Sequence, residues 1–234
     1  MVELCVSSIT SINHAVNGGV GRLELCRDLS LDGLTPDRSL FEYVSASASV
    51  TIPVHVLIRP RAGSFVYSAD EVSSMFDDID LVKAYDLQGV VIGLLDEDGN
   101  LPLKDLQALC RYAEPLDITF HRASDLLSNP ERSLQQLIDL GFNRILSSGG
   151  AGNAVAGLDT LTTWMEITGE WLIIMPGGGI NDQNADLFYR RGFKEIHLSA
   201  KPYGLRATSS EGEPVADPEI IRNVVQVNHS FGFT

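Results

Sequence analysis

The stretch Asp139-Leu-Gly-Phe-Asn-Arg-Ile-Leu146 contains the pattern that decides the fold. A helical run ends here, a glycine follows, and a short apolar segment begins. The glycine suits the left-handed backbone position that ends a helix, and the apolar segment suits a buried strand. The same order of helix, glycine and strand recurs at residues 17–25, 86–92, 168–174 and 191–197.

Eight such strands are predicted along the chain, and a helical pattern follows each one. They fall near residues 2–7, 21–26, 52–59, 89–95, 117–122, 144–148, 171–176 and 194–199. Eight strand–helix units in a chain of this length predict an α/β (β/α)₈ barrel of the TIM type. The alternative is a doubly wound open sheet, which favours a phosphate-binding glycine loop after its first strand, and none follows here. We expect a single domain over residues 1–234, because no linker or change in composition divides the chain.

Helix starts are marked by capping residues. Residues 35–36, 129–130 and 217–218 each place a capping side chain before a proline, which is favoured at the first helical position. Ser68 and Glu71 have the spacing of a capping box. The long polar segment 200–216 is predicted to be either a lid or a disordered loop.

The composition excludes several classes of function. The formal charge is −14, from 17 basic and 31 acidic residues, which argues against nucleic-acid binding and against docking on anionic lipid. No uncharged apolar run approaches the roughly 20 residues that span a bilayer, and we see no signal peptide. The chain has three cysteines, a small and odd number that does not suit a disulfide framework. We therefore expect a cytoplasmic protein.

Several polar side chains are predicted to point into the barrel. Side chains alternate with period two along a strand, and the apolar set of each strand should face the helices. The inward set then includes Glu24, His55, Arg59, His121 and His197. Unpaired charges inside a barrel cost several kcal/mol each, on the order of the desolvation penalty, so these groups must pair or bind a ligand. An ionic core without a ligand is the alternative to a site.

The segment 117–125 carries an imidazole, a guanidinium and a carboxylate at the end of one strand, in His121, Arg122 and Asp125. In this fold, function lies at the carboxyl ends of the strands. These three residues and Glu24 are therefore the candidate catalytic residues. An equally simple interpretation is that Arg122 and Asp125 form an ion pair that caps the next helix, with His121 as a hydrogen-bonded spacer.

Two cysteines, Cys5 and Cys26, fall near matching ends of the first two strands. Adjacent strands lie about 4.8 Å apart, so the sulfurs could meet. A close pair of thiols in a reducing compartment suits a soft ion such as Cu(I) or Zn(II). Buried cysteine is also common as a small apolar residue, and the residues alone favour that explanation.

A candidate anion site follows the last strands. Gly177, Gly178 and Gly179 can expose backbone N–H groups before a helix, where this fold often binds phosphate. Four further residues at neighbouring strand ends, Ser148, Gly149, His197 and Lys201, would complete the site. Arg59 and Arg61 could clamp a carboxylate or phosphate, or pair with Glu24 or Asp125. A tight turn without a ligand is the alternative for the glycines.

These segments together resemble the CutC family, which is named for copper homeostasis. The matching motifs include residues 4–6, 21–26, 33–36, 52–55, 58–61, 67–68, 119–123, 148–149, 175–180 and 195–197. The resemblance implies a TIM-type barrel, a cytoplasmic homo-oligomer and copper binding, with Cys5 and Cys26 as the Cu(I) ligands. It brings no established reaction. Ser64 stands where the family pattern has an aspartate.

The leading hypothesis is therefore a copper-homeostasis protein that binds Cu(I). The alternative is a TIM-barrel enzyme acting on a small phosphorylated or carboxylated ligand at the carboxyl-terminal mouth. In that case Arg59, Arg61 and the glycines at 177–179 would hold the anion, and Glu24 and His121 would move protons. A third hypothesis is a barrel without chemistry that serves as an interaction scaffold.

Overall fold

A computed structural model describes residues 1–203 and 214–232. The eight strands are all parallel and pair in chain order. Their bounds are β1 Val2–Val6, β2 Arg22–Leu25, β3 Val54–Leu57, β4 Gly89–Ile92, β5 Asp117–Phe120, β6 Arg144–Ser147, β7 Ile173–Pro176 and β8 Ile196–Leu198.

A helix follows each strand. The bounds are α1 Ile9–Gly18, α2 Arg38–Ala46, α3 Ala69–Ala84, α4 Leu103–Ala113, α5 Pro130–Asp139, α6 Leu158–Thr168, α7 Ala185–Arg190 and α8 Pro218–Ser230. Short 3₁₀ turns cover Leu29–Leu31 and Arg122–Leu126. None of the helices described is both long and apolar enough to span a bilayer.

The sheet curves into a nearly closed barrel, which confirms the predicted fold and excludes the open sheet. β1 pairs with β8 through Val2–Ile196, Glu3–His197 and Leu4–Leu198. Between β7 and β8 a single isolated bridge, Gly177 to His197, brings the two edges together. Pro176 ends β7 and has no N–H to donate to a further bond at this point.

The core has two layers because alternate side chains face opposite sides of each strand. Between strands and helices lies the large apolar cluster, which includes Leu4, Val6, Leu23 and Leu25. Inside the barrel, the apolar residues Cys5, Cys26, Leu57 and Val91 form a separate small cluster. The predicted alternation is thereby confirmed for β1 and β2.

The capping predictions are confirmed at three helices and wrong at one. Ser68 and Glu71 form the capping box of α3, and Asn129 and Asp217 cap α5 and α8. The helix expected behind Thr35 begins instead at Arg38, after Asp37. The hydroxyl of Thr35 accepts the backbone N–H of Arg59 at 2.9 Å, so it anchors the end of β3 rather than a helix.

The glycine pattern is likewise confirmed except in one stretch. Gly19, Gly141, Gly169 and Gly192 all have the positive φ expected after a helix. In residues 86–92 the left-handed position is taken by Asp86, and Gly89 lies inside β4. A Cβ at Gly89 would lie 2.5 Å from the ring of His55, so this glycine leaves space for an inward imidazole. Within the segment 200–216, residues 204–213 lie outside the described part of the chain, so its prediction stays open there.

Candidate functional site

A cavity of about 500 Å³ lies at the carboxyl ends of the strands. It brings together ten of the predicted site residues, which line it: Cys5, Glu24, Arg59, His121, Arg122, Asp125, Gly178, Gly179, His197 and Lys201. Five others do not line it: Cys26, Arg61, Ser148, Gly149 and Gly177. The strands deliver their last residues to one mouth, as this fold requires.

Below the cavity, the barrel is filled by a buried ionic network. Arg22 pairs with Glu3 and, at 2.6 Å, with Glu195. Arg144 pairs with Glu195 and with Asp117, each at 3.2 Å. The described charges of this lower layer satisfy one another. Of the five residues predicted to point inward, four line the cavity instead: Glu24, Arg59, His121 and His197.

Electrostatics in this layer favour ionised carboxylates. Burial alone would raise the pKa of Glu3, but Arg22 and His197 hold it well below its usual range. His55 lies in the same layer, and burial lowers its pKa to about 4, so its ring is neutral at pH 7.

Cys5 and Cys26 are in direct contact above this layer. Their Sγ atoms lie 2.9 Å apart, both side chains are buried, and neither is in a disulfide. The hydrogen bond to Cys26 and burial raise the pKa of the Cys5 thiol well above its usual value. The two sulfurs thus lie beside one position, and each thiol must lose its proton to bind an ion there.

Two further donors, Glu24 and His197, converge beside Cys5. One ligand atom each from Cys5, Glu24 and His197 lie within 4.8 Å of one another. Burial raises the pKa of Glu24 to about 7, and its Oε2 atom has no hydrogen-bond partner. Burial would lower the pKa of His197, but Glu24, Cys5 and Glu3 raise it well above its usual value.

Sequence reasoning assigned Glu24 and His197 to other roles and so missed this set. The signal was available in the barrel topology. Glu3 stands opposite His197 on β8, and Cys5 stands opposite Glu24 on β2, so inward residues of three adjacent strands must meet.

His121 is held in one orientation and one tautomer. Its Nδ1 accepts the backbone N–H of Ala123 at 3.1 Å, so in the neutral ring the hydrogen is on Nε2. A Cβ at Gly93 would overlap the ring, and the ring of Phe65 packs 4.8 Å away. Burial, with a contribution from Arg59, lowers the pKa of His121 to about 3. The imidazole is therefore a fixed neutral donor.

Arg122 and Asp125 form the ion pair that the simpler interpretation expected, at 2.8 Å. Asp125 also accepts the Ser147 hydroxyl at 2.6 Å and the backbone N–H of Ser148 at 2.8 Å. The Ser148 hydroxyl donates to Asp125 at 2.9 Å, so Ser148 serves the loop rather than the cavity. These bonds fasten the segment after β5 to the loop after β6.

The two arginines after β3 differ in position. Arg61 pairs with Glu71 and donates to the carbonyls of Ser64 and Val66, away from the cavity. Arg59 lines the cavity and donates to backbone carbonyls. The alternative that they pair with Glu24 or Asp125 is wrong for the described residues.

The glycines after β7 are divided between packing and the cavity. Gly177 donates to the carbonyl of Ser147, and a Cβ on it would overlap Leu146. In the loop after β6, Gly149 packs on the backbone of Gly157. Gly178 and Gly179 adopt left-handed backbone and present main chain to the cavity, which Lys201 also lines.

Comparison with known proteins gives one family. The model of the CutC family matches residues 1–202. A protein of Pasteurella multocida named "family protein CutC" is 44% identical over 205 residues, covering 87% of this chain and 83% of that protein. The human "Copper homeostasis protein cutC homolog" is 41% identical over 202 residues, covering 86% of this chain and 73% of that protein.

Solved structures agree with these sequences. A CutC protein from Streptococcus agalactiae superposes with a TM-score of 0.80 at 28% identity, covering 85% of this chain and 98% of its own. The thiamine phosphate pyrophosphorylase of Pyrococcus furiosus has a TM-score of 0.63 at 16% identity, covering 98% of this chain and 95% of its own. The second likeness shows the barrel fold alone.

Proposed function

Since the chain belongs to the CutC family, we propose that it acts in copper homeostasis and binds Cu(I) through Cys5 and Cys26. The observation that carries this proposal is the 2.9 Å contact between the two Sγ atoms. Thiolates are the soft ligands that Cu(I) prefers. Two sulfurs bound to one ion at metal–sulfur distances of about 2.3 Å lie roughly 3.8–4.6 Å apart, so the pair needs to separate by about 1–2 Å to hold it.

The surroundings of the thiols support the same ion. Cys26 is fully buried and Cys5 nearly so, which limits the access of water and oxidants to bound Cu(I). Glu24 and His197 lie close enough to Cys5 to supply a further donor. The thiol of Cys5 is protonated at neutral pH because its pKa is raised, so binding releases a proton.

The proposed chemistry also favours a particular cellular compartment. Free thiols in contact persist in a reducing compartment, so we place the protein in the cytoplasm. We also keep the expectation of a homo-oligomer that the family resemblance implies, and sedimentation equilibrium of the purified chain tests it.

The test of copper binding is an anaerobic titration with Cu(I) against a chromogenic Cu(I) chelator, with reductant present. We expect one ion per chain. The double variant Cys5→Ser, Cys26→Ser should lose at least about 100-fold in affinity, since removing ligands exceeds the effect of altering their supporting residues. Cys110→Ser is the matched control, because Cys110 is a buried cysteine in α4 that does not line the cavity. A double variant that binds as tightly as the parent would refute the assignment.

A second pair of variants separates the two thiols from their neighbours. Glu24→Gln and His197→Gln should weaken Cu(I) binding by about 10-fold or less, the effect of a supporting residue. A larger loss than in the cysteine variants would move the metal centre from the thiol pair to Glu24 and His197.

A further inference from the structure

Arg59 carries a buried positive charge without a carboxylate partner. Its exposed fraction is 4%. Its guanidinium donates to the carbonyls of Leu31 and Gly33, each at 2.8 Å, and to that of Gly63 at 3.3 Å. In the described part of the chain no acidic group lies within ion-pair distance of it. Carbonyls solvate the guanidinium but do not neutralise it, and leaving an ion buried costs several kcal/mol, on the order of its desolvation penalty.

The other two buried arginines of the described chain, Arg22 and Arg144, each have two carboxylate partners. Arg22 lies 2.6 Å from Glu195 and also pairs with Glu3, and Arg144 lies 3.2 Å from Glu195 and from Asp117. Both belong to the lower layer and do not line the cavity. The buried guanidinium that lacks a counter-ion is thus the one that faces the cavity, in a chain with a formal charge of −14.

The side chain of Arg59 is already held in place. Three carbonyls fix its Nη atoms, and the guanidinium stacks 5.0 Å from the centre of the Phe65 ring. A planar guanidinium matches carboxylate and phosphate oxygens, and a group ordered beforehand loses little entropy on binding. An anion in the cavity would supply the missing charge.

His121 offers a second contact beside it. Its ring packs against the same Phe65 ring, 4.8 Å away, so Arg59 and His121 are neighbours on one wall. The Nε2 atom, which carries the hydrogen, is buried without a hydrogen-bond partner. Since buried donors are normally paired, this one is also incomplete without a ligand or water.

From this geometry we propose that the cavity binds a small organic anion, a carboxylate or a phosphate ester. Its charged group pairs with Arg59, and a neighbouring oxygen accepts a hydrogen bond from His121. The volume of about 500 Å³ suits a ligand of metabolite size. Gly178, Gly179 and Lys201 line the same cavity, as do three acidic residues, Glu24, Asp32 and Asp125. Asp125 pairs with Arg122, and burial raises the pKa of Glu24 to about 7. The residues that hold the anion, Arg59 and His121, differ from the proposed copper ligands, of which Cys5 lines the same cavity.

The test uses the full chain free of metal, so its outcome does not depend on copper. Inorganic phosphate, glycerol 3-phosphate and malonate are titrated by calorimetry at constant ionic strength. We expect binding of at least one probe, and the preference between glycerol 3-phosphate and malonate distinguishes the two classes of anion. Arg59→Met should weaken that binding at least about 10-fold, because the loss of a charge-assisted hydrogen bond lowers affinity by about that factor. Arg132→Met is the matched control and should bind as the parent does, because Arg132 is exposed on α5 and does not line the cavity.

A second measurement does not require that Arg59→Met folds. The imidazole resonances of His121, assigned by their loss in His121→Gln, should shift in the parent protein when the probe is added. The proposal is overturned if no probe binds at a concentration of about 10 mM, which corresponds to a binding free energy of about −3 kcal/mol. It is also overturned if Arg59→Met binds as tightly as Arg132→Met, or if the His121 resonances do not move at saturation.

Discussion

The Nδ1 atom of His197 lies 2.7 Å from Oε1 of Glu3, at the boundary between the ionic layer and the cavity. The same Glu3 pairs with Arg22, so a chain of charged contacts runs from the lower barrel to the candidate metal donors. A change in the lower layer should therefore affect both the stability of the barrel and the position of His197.

The first prediction concerns Arg22. Arg22→Met removes the cation shared by Glu3 and Glu195 and leaves buried carboxylates short of a partner. We expect a loss of about 3–5 kcal/mol in the free energy of unfolding. Urea denaturation followed by circular dichroism measures it.

The matched variant is Arg190→Met, which removes an exposed pair with Asp186 on α7. Its effect should stay below about 1 kcal/mol, as for exposed pairs in general. Equal losses in the two variants would show that the buried network does not stabilise the barrel.

The second prediction concerns the space beneath His121. Gly93→Ala places a methyl group where the imidazole now lies, so the ring must move or the strand must shift. We expect a loss of about 1–3 kcal/mol, typical of an overpacked core, and weaker binding of anionic probes. Thermal unfolding and the calorimetric titration measure the two effects.

Gly152→Ala is its control, since a Cβ there meets nothing within 4 Å and the backbone is not left-handed. It should match the parent in both measurements. If Gly93→Ala also matches the parent, the close contact between Gly93 and the ring is not a constraint.

The third prediction is a dependence of stability on pH. Burial lowers the pKa of His55 to about 4 in the folded protein, against about 6.5 for an unfolded chain. The unfolded state therefore binds the proton first, and the stability is fully present above pH 6.5 and declines as the pH falls toward 4. Each such group contributes a slope of about 1.4 kcal/mol per pH unit in that window.

In His55→Gln the free energy of unfolding should decline less steeply between pH 6.5 and 4, by about that slope. His229→Gln, at an exposed position in α8, should leave the curve of the parent unchanged. Urea midpoints at half-unit steps of pH measure both, and identical slopes in all three proteins would contradict the prediction.

The fold could be predicted because its signals are local. A glycine after a helix, a cap such as Asn129 and the alternation of Leu23, Glu24 and Leu25 each depend on neighbours in the chain. Local signals failed where a distant partner competes, as at Thr35, whose hydroxyl accepts from Arg59 rather than from a helix.

The site could be predicted only in part for the same reason. The inward direction of Cys5, Glu24 and His197 follows from strand periodicity, but their convergence requires the register across β8, β1 and β2. One of the two carboxylates that pair with Arg22 is Glu195, 173 positions along the chain, and no spacing rule selects it. Arg61 pairs with Glu71, ten positions along the chain, whereas Arg59 pairs with no acidic group of the described residues, and the sequence does not distinguish the two arginines.

The single bridge between Gly177 and His197 has a consequence for motion. The other neighbouring strands pair through two or more residues each, so local opening of the barrel should be easiest at this junction. The amides of β7 and β8 at the junction should then exchange with deuterium faster than those of the other strands. His197 stands on one side of the gap, and the glycines of the β7 loop stand on the other. A ligand that contacted both His197 and the glycines after β7 would oppose this opening. Binding in the cavity should therefore slow hydrogen exchange along β8.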